Sequence, residues 1–108
     1  MKYEVLVTTR AMRELKDNAR WWGEHRSGGE AKRWYDGFLK ALLSLEKNPA
    51  RYPLAREHAK FPYEVRQFTY GLGRRSSHRA IFTIRDEHVL ILAIRHAARE
   101  DIQPEELD

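Results

Sequence analysis

Two stretches of helical apolar periodicity, separated by a pair of glycines, constrain this chain most. Met12, Leu15, Ala19 and Trp22 recur at spacings of three and four, which puts one apolar stripe on a helix. Ala31, Trp34, Phe38, Ala41, Leu42 and Leu45 form a second stripe, widened by Tyr35 and Leu39. Between them stands Ser27-Gly28-Gly29-Glu30. The glycines end the first helix near His25, and the Ser-x-x-Glu spacing is a capping box for the second. So short a turn folds the two helices into an antiparallel hairpin. Asn48-Pro49 stops the second helix, because the residue before proline avoids helical geometry.

The periodicity then changes. Residues 3–7 alternate and are rich in Val, Leu and Tyr, so they read as a strand, with Thr8 or Thr9 placed to cap the helix that follows. Residues 65–70, 78–85 and 88–96 read as three more strands. Asp86-Glu87 forms the hairpin between the last two, and Gly71–Ser77 is a flexible basic loop. The last strand is apolar on both faces through its middle, which predicts a central strand. Residues 101–107 add a short helical turn. The order β-α-α-β-β-β predicts an α+β fold, a helical hairpin packed on one face of a small antiparallel sheet. At 108 residues this is a single domain, 1–108.

Residues 49–62 form an irregular connection with three of the four prolines; it carries Arg51, Arg56, His58 and Lys60, and also Glu57. A connection of that length either serves a function or wraps the core. The three tryptophans (Trp21, Trp22, Trp34) fall on the helices and read as core, Trp21 being the exception beside the stripe.

Several function classes lack support. The chain has no cysteine, hence no disulfide or thiolate metal site. No Gly-rich phosphate loop precedes a helix, and neither HExxH nor GxSxG occurs. The five histidines are scattered, so neither metal nor cofactor is expected. The longest apolar run, Val89 to Ile94, is far too short for a membrane span. With no signal-peptide pattern at the start, the expected location is the cytoplasm.

Charge is distributed unevenly. Net charge is +4, yet residues 66–99 hold seven arginines against two acids, and residues 100–108 hold five acids. Alternation puts Arg79, Ile81, Thr83 and Arg85 on one side of their strand and His78, Ala80, Phe82 and Ile84 on the other. A two-residue hairpin loop sets Arg79 opposite Ile94, with His96 diagonal to it on the same face. Arg66 projects from the preceding strand, Arg74 and Arg75 overhang from the loop, and Arg95 and Arg99 come from the end of the last strand. The expected result is a concave basic patch holding Arg66, Arg79 and His96. Such a patch suits phosphates or an acidic protein partner. Arginine there can stabilise a phosphorane, and histidine can serve as acid or base. The structural alternatives are an ion pair of Arg79 with the acidic tail or Glu64, and a backbone-bonded His96.

The element order and a set of segments carry a resemblance. They are Arg33-Trp-Tyr-Asp-Gly-Phe-Leu-Lys-Ala-Leu-Leu-Ser-Leu45, Asn48-Pro49 with Pro53-Leu-Ala55, Glu64-Val-Arg-Gln-Phe68, His78-Arg-Ala-Ile-Phe82 and Ile91-Leu-Ala-Ile-Arg-His-Ala-Ala-Arg99. Over nearly the whole chain these resemble the RelE/ParE toxins of type II toxin–antitoxin systems, the plasmid stabilisation protein family. The resemblance implies a toxin neutralised by a cognate antitoxin, an extended or helical segment of which wraps it. It implies one of two activities: metal-independent endoribonuclease cleavage of mRNA on the ribosome, the first expectation, or inhibition of DNA gyrase without catalysis; a degenerate, harmless antitoxin binder is a third. For the nuclease, Arg79 falls on the arginine of a "Tyr/His-Arg-x-x-Tyr/Phe" strand that stabilises the transition state. Arg66 falls near a basic position, and His96 is the nearest acid/base. Where such nucleases place a Tyr, His or Asp after the last strand, this chain reads Ala97, Ala98 and a tail without tyrosine.

Overall fold

A computed structural model describes residues 2–73 and 75–107. Strand β1 is Glu4–Val7, helix α1 is Thr9–His25, helix α2 is Gly28–Leu43, and strands β2, β3 and β4 are Arg66–Tyr70, His78–Arg85 and His88–His96. Short 3-10 turns occupy Ser44–Glu46, Pro49–Arg51, His58–Lys60 and Pro104–Leu107.

Local chemistry sets the helix ends as the sequence predicts. The Thr8 hydroxyl accepts the Ala11 N–H at 3.1 Å, and the Ser27 hydroxyl accepts the Glu30 N–H at 3.1 Å. Each satisfies one of the donors that a helix N-terminus leaves open. Asn48 takes a left-handed φ of 45° before Pro49 turns the chain away.

The sheet order is β1-β4-β3-β2. The last three strands pair antiparallel, as expected, but β1 lies parallel to β4, with Glu4 beside His88 and Val7 beside Ile91. The sheet is therefore mixed, and β4 is central. Beyond Ile91 the strand has no β1 residue to pair with, and α1 takes over: the Glu14 carboxylate accepts the Ile94 N–H at 3.0 Å.

The β3–β4 register shifts once. Asp86, at φ 53°, makes the tight turn, and Arg85 faces His88, Thr83 faces Leu90 and Phe82 faces Ile91. The next pair is Ile81 with Ala93, so Leu92 is a bulged extra residue. From there on every β4 residue sits one position away from a regular register. Arg79 faces Arg95, and His78 faces His96.

Both faces of the sheet are covered. The helix side buries Ala11, Leu15, Trp34, Phe38 and Leu42 against Phe68, Ala80, Phe82, Val89, Ile91 and Ile94. The far side has a smaller core of Ala55, Phe61, Val65, Ile81, Ala93 and Ile102. Its cover is made by the 49–62 connection and the C-terminal tail, which the sequence did not mark as a second layer.

Candidate functional site

Arg79 and Arg95 come to the far face, where both are already engaged. Arg79 is 1% exposed and Glu57 is 0% exposed. The Arg79 guanidinium grips the Glu57 carboxylate with two N–H groups, one at 2.8 Å to Oε1 and the other to Oε2. Arg79 also donates to Gln67 at 2.9 Å, and the Ile102 N–H donates to Glu57 at 3.0 Å. Burial would raise the Glu57 pKa, but the bonds from Arg79, Ile102 and its own backbone N–H outweigh it and hold the carboxyl below its ordinary value.

The neighbouring bases are held in the same way. Arg66 donates to the Tyr52 carbonyl at 2.6 Å and to Glu64 at 2.9 Å. Arg95, also buried, donates to the Glu100 carbonyl at 2.8 Å and reaches Glu106 at 3.4 Å. A bond from the Gln103 N–H, with smaller help from Arg95, lowers the Glu106 pKa. Arg56 bonds Asp101 at 2.5 Å and donates to the Ala97 and Arg99 carbonyls. Arg75 and Arg99 are exposed. Arg74 lies outside the described residues.

His96 is on the other side of the sheet. The Leu92 bulge moves it onto the helix face, opposite His78, so the expected shared face for Arg79 and His96 is corrected. The two imidazoles stand 5.1 Å apart, edge to face. His78 is buried against Trp34, and its ring nitrogens are bonded to the Ser77 hydroxyl at 2.8 Å and the Asn18 side-chain oxygen at 3.0 Å. Burial, with a smaller contribution from His96, lowers its pKa to about 4, so the ring is neutral at pH 7. His96 is exposed, and its Nδ1 accepts the Ala98 N–H at 3.1 Å. With Asn18, Trp21, Trp22 and Arg26 from α1, these histidines line a cleft of about 400 Å³.

The family description "ParE toxin of type II toxin-antitoxin system, parDE" matches residues 5–101. The chain belongs to this ParE toxin family. No curated protein matches it. Among solved structures, the chromosomal ParDE toxin–antitoxin system from P. aeruginosa is similar, with TM-score 0.71 and 16% identity, covering 88% of this chain and 96% of that one. The free state of an arginine-to-alanine double mutant of E. coli toxin RelE matches at TM-score 0.54 and 16% identity, covering 91% and 86%. At that identity the likeness to both shows the fold: two helices on a four-stranded mixed sheet.

Within this ParE-family fold the expected patch is split. Arg79 lies on the far face with Gln67, whereas Arg66, paired with Phe82 and in step with Phe68, falls on the helix side of the edge strand. His96 opens on that near side at the other end of the sheet. Sequence reasoning placed Glu57 in the connection without giving it a role. The signal was there, for Glu57 is the sole acid between residues 49 and 62, amid four bases. Asn18, which orients His78, and Ile102, which seals the far core, carried no comparable signal. Among the described residues no helix is long and apolar enough to cross a membrane.

Proposed function

We propose that this ParE-family chain is a cytoplasmic toxin that acts by occupying DNA gyrase, without catalysis of its own, and that a cognate antitoxin neutralises it. The observation that carries the choice is the condition of Arg79. An arginine that stabilises a phosphorane must present free N–H groups to the phosphate. Here the guanidinium is sealed under the tail and spent on Glu57. The acid/base candidate, His96, lies across the sheet from it. A binding mechanism needs neither group at a phosphate; it needs a shaped surface, which the hairpin and the exposed bases supply.

Two assays on the purified chain test this. The expected result is loss of gyrase supercoiling with ribosome-bound mRNA left intact. Cut mRNA beside normal supercoiling would overturn the proposal and return Arg79 and His96 to a catalytic role.

A further inference from the structure

The near-face cleft has a floor, walls and a rim of different chemistry. At the floor, His78 has both ring nitrogens bonded, to Ser77 and Asn18. It offers no free donor or acceptor to a visitor, so whatever reaches the bottom must be apolar there. The walls are Trp21 and Trp22. Trp21 is 48% exposed and is held in place by stacking on His25 with ring centroids 4.5 Å apart. An indole left in water and fixed in one pose is a ready anchor contact, since aromatic residues dominate binding energy in desolvated pockets.

The rim is cationic. Arg26 stands over the Trp22 ring, 5.8 Å from its centroid. Among the described residues it has no carboxylate within salt-bridge range, unlike Arg56, Arg66, Arg79 and Arg95. His96 gives its Nδ1 to the Ala98 N–H, which leaves Nε2 to donate outward. An apolar well beneath two donors fits one kind of side-chain pair, a large apolar group with a carboxylate next to it.

We infer that this cleft, formed by Trp21, Trp22, Arg26, His78 and His96, is the pocket into which the antitoxin inserts an aromatic or long aliphatic side chain flanked by an acidic residue. The inference rests on the reading of the chain as a neutralised toxin, because family membership is what supplies a partner of that kind. About 400 Å³ is at the lower end of sites that enclose a ligand, and it suits one anchor with its neighbour better than an extended polymer.

The test starts from a probe with the required chemistry, N-acetyl-tryptophan, which joins an indole to a carboxylate, set beside its uncharged amide. In proton–nitrogen NMR of the full chain, the acid should shift the Trp21 and Trp22 indole N–H signals saturably. The amide should bind at least threefold more weakly, and Arg26→Glu should weaken the acid at least fivefold. The second arm uses the purified product of the reading frame adjacent to this gene. Trp21→Ala should raise its Kd at least tenfold with the melting temperature unchanged. Absent indole shifts, or an unchanged Kd, would overturn the inference. So would a Trp21→Ala chain that loses gyrase inhibition while its antitoxin Kd stays the same, since the cleft would then serve the target. Growth arrest by the unmodified chain alone tests the toxin reading separately, and the Kd comparison decides the cleft in either case.

Discussion

Arg79 and Glu57 meet as a two-toothed ion pair closed off from water, 1% and 0% exposed. The pair joins β3 to the 49–62 connection, and the Ile102 N–H extends it to the tail. One carboxylate thus holds three parts of the chain together. The residue that stood out as a candidate for chemistry is, in the fold, the far core's polar centre.

Removing one member of such a pair leaves the other charge buried and unpaired, which costs about 3–5 kcal/mol. Arg79→Ala and Glu57→Ala should each lower stability by that order in urea denaturation. A paired replacement by apolar residues of similar size, Arg79→Met with Glu57→Leu, should recover most of the loss. An Arg79→Ala chain of unchanged stability that no longer arrests growth would count against this structural role.

His78 should make the fold acid-sensitive above the carboxylate range. Its folded pKa is about 4, and the unfolded chain's histidine titrates near 6.5. Between those values the unfolded state binds more protons, so stability falls as pH drops from about 6.5 towards 4, by up to about 1.4 kcal/mol per pH unit inside the window. Glu57 acts lower: its depressed pKa gives stability that is present above about 4.5 and lost only as pH falls further. Urea titrations at pH 6.5 and pH 5 therefore isolate the histidine. His78→Gln should flatten that step, and a variant that keeps the full slope would refute the assignment.

Gly37 sits where a methyl group has no room. A Cβ there would fall 1.9 Å from the Tyr70 hydroxyl, and the Tyr70 ring is fixed by stacking on Phe38 at 4.7 Å. Alanine gains about 1 kcal/mol in helix propensity, but overpacking costs typically about 1–3 kcal/mol. Gly37→Ala should lower the melting temperature in the native background. In a Tyr70→Phe background the same change should cost less, though the ring carbon Cζ, 3.1 Å from the new Cβ, must still give way.

Ile102 is the apolar anchor of the tail, with no exposed surface. Ile102→Ala should cost about 2–5 kcal/mol and loosen the strap over Arg95. Limited trypsin digestion checks it: cleavage after Arg99 should be faster than in the unmodified chain. Equal protection would mean that the charged contacts of Asp101 and Glu106 hold the tail unaided.

The helical hairpin was legible because periodicity, caps and breakers all agree at the same residues, from Thr8 through Ser27 to Pro49. Within β3 the alternation was legible too, with Ala80 and Phe82 towards the helices and Ile81 and Thr83 away. The cross-strand register was not. A regular count back from Asp86-Glu87 sets Arg79 beside Ile94, and one bulged residue, Leu92, changes its partner to Arg95. No local pattern marks that bulge, because Leu92 and Ala93 are both apolar and both suit the far core. The parallel pairing of β1 was equally hidden, since a short strand at the start of a chain reads the same beside any neighbour. Nor does composition tell a basic face from a basic core: Glu57 lies 22 residues from Arg79 in sequence, and only the fold turns the acidic tail back over Arg95.

The pairing of β1 with β4 also sets when this protein can exist during synthesis. The first strand made finds its place in the sheet only beside the last. Until residues 88–96 leave the ribosome, the hairpin has an unfinished sheet to cover and β1 has no neighbour. Contacts so distant in sequence slow folding, and the exposed apolar surface is open to other chains meanwhile. The near-face cleft, which needs both His78 and His96, is therefore among the last features to form. A partner translated earlier would meet that surface as it first assembles.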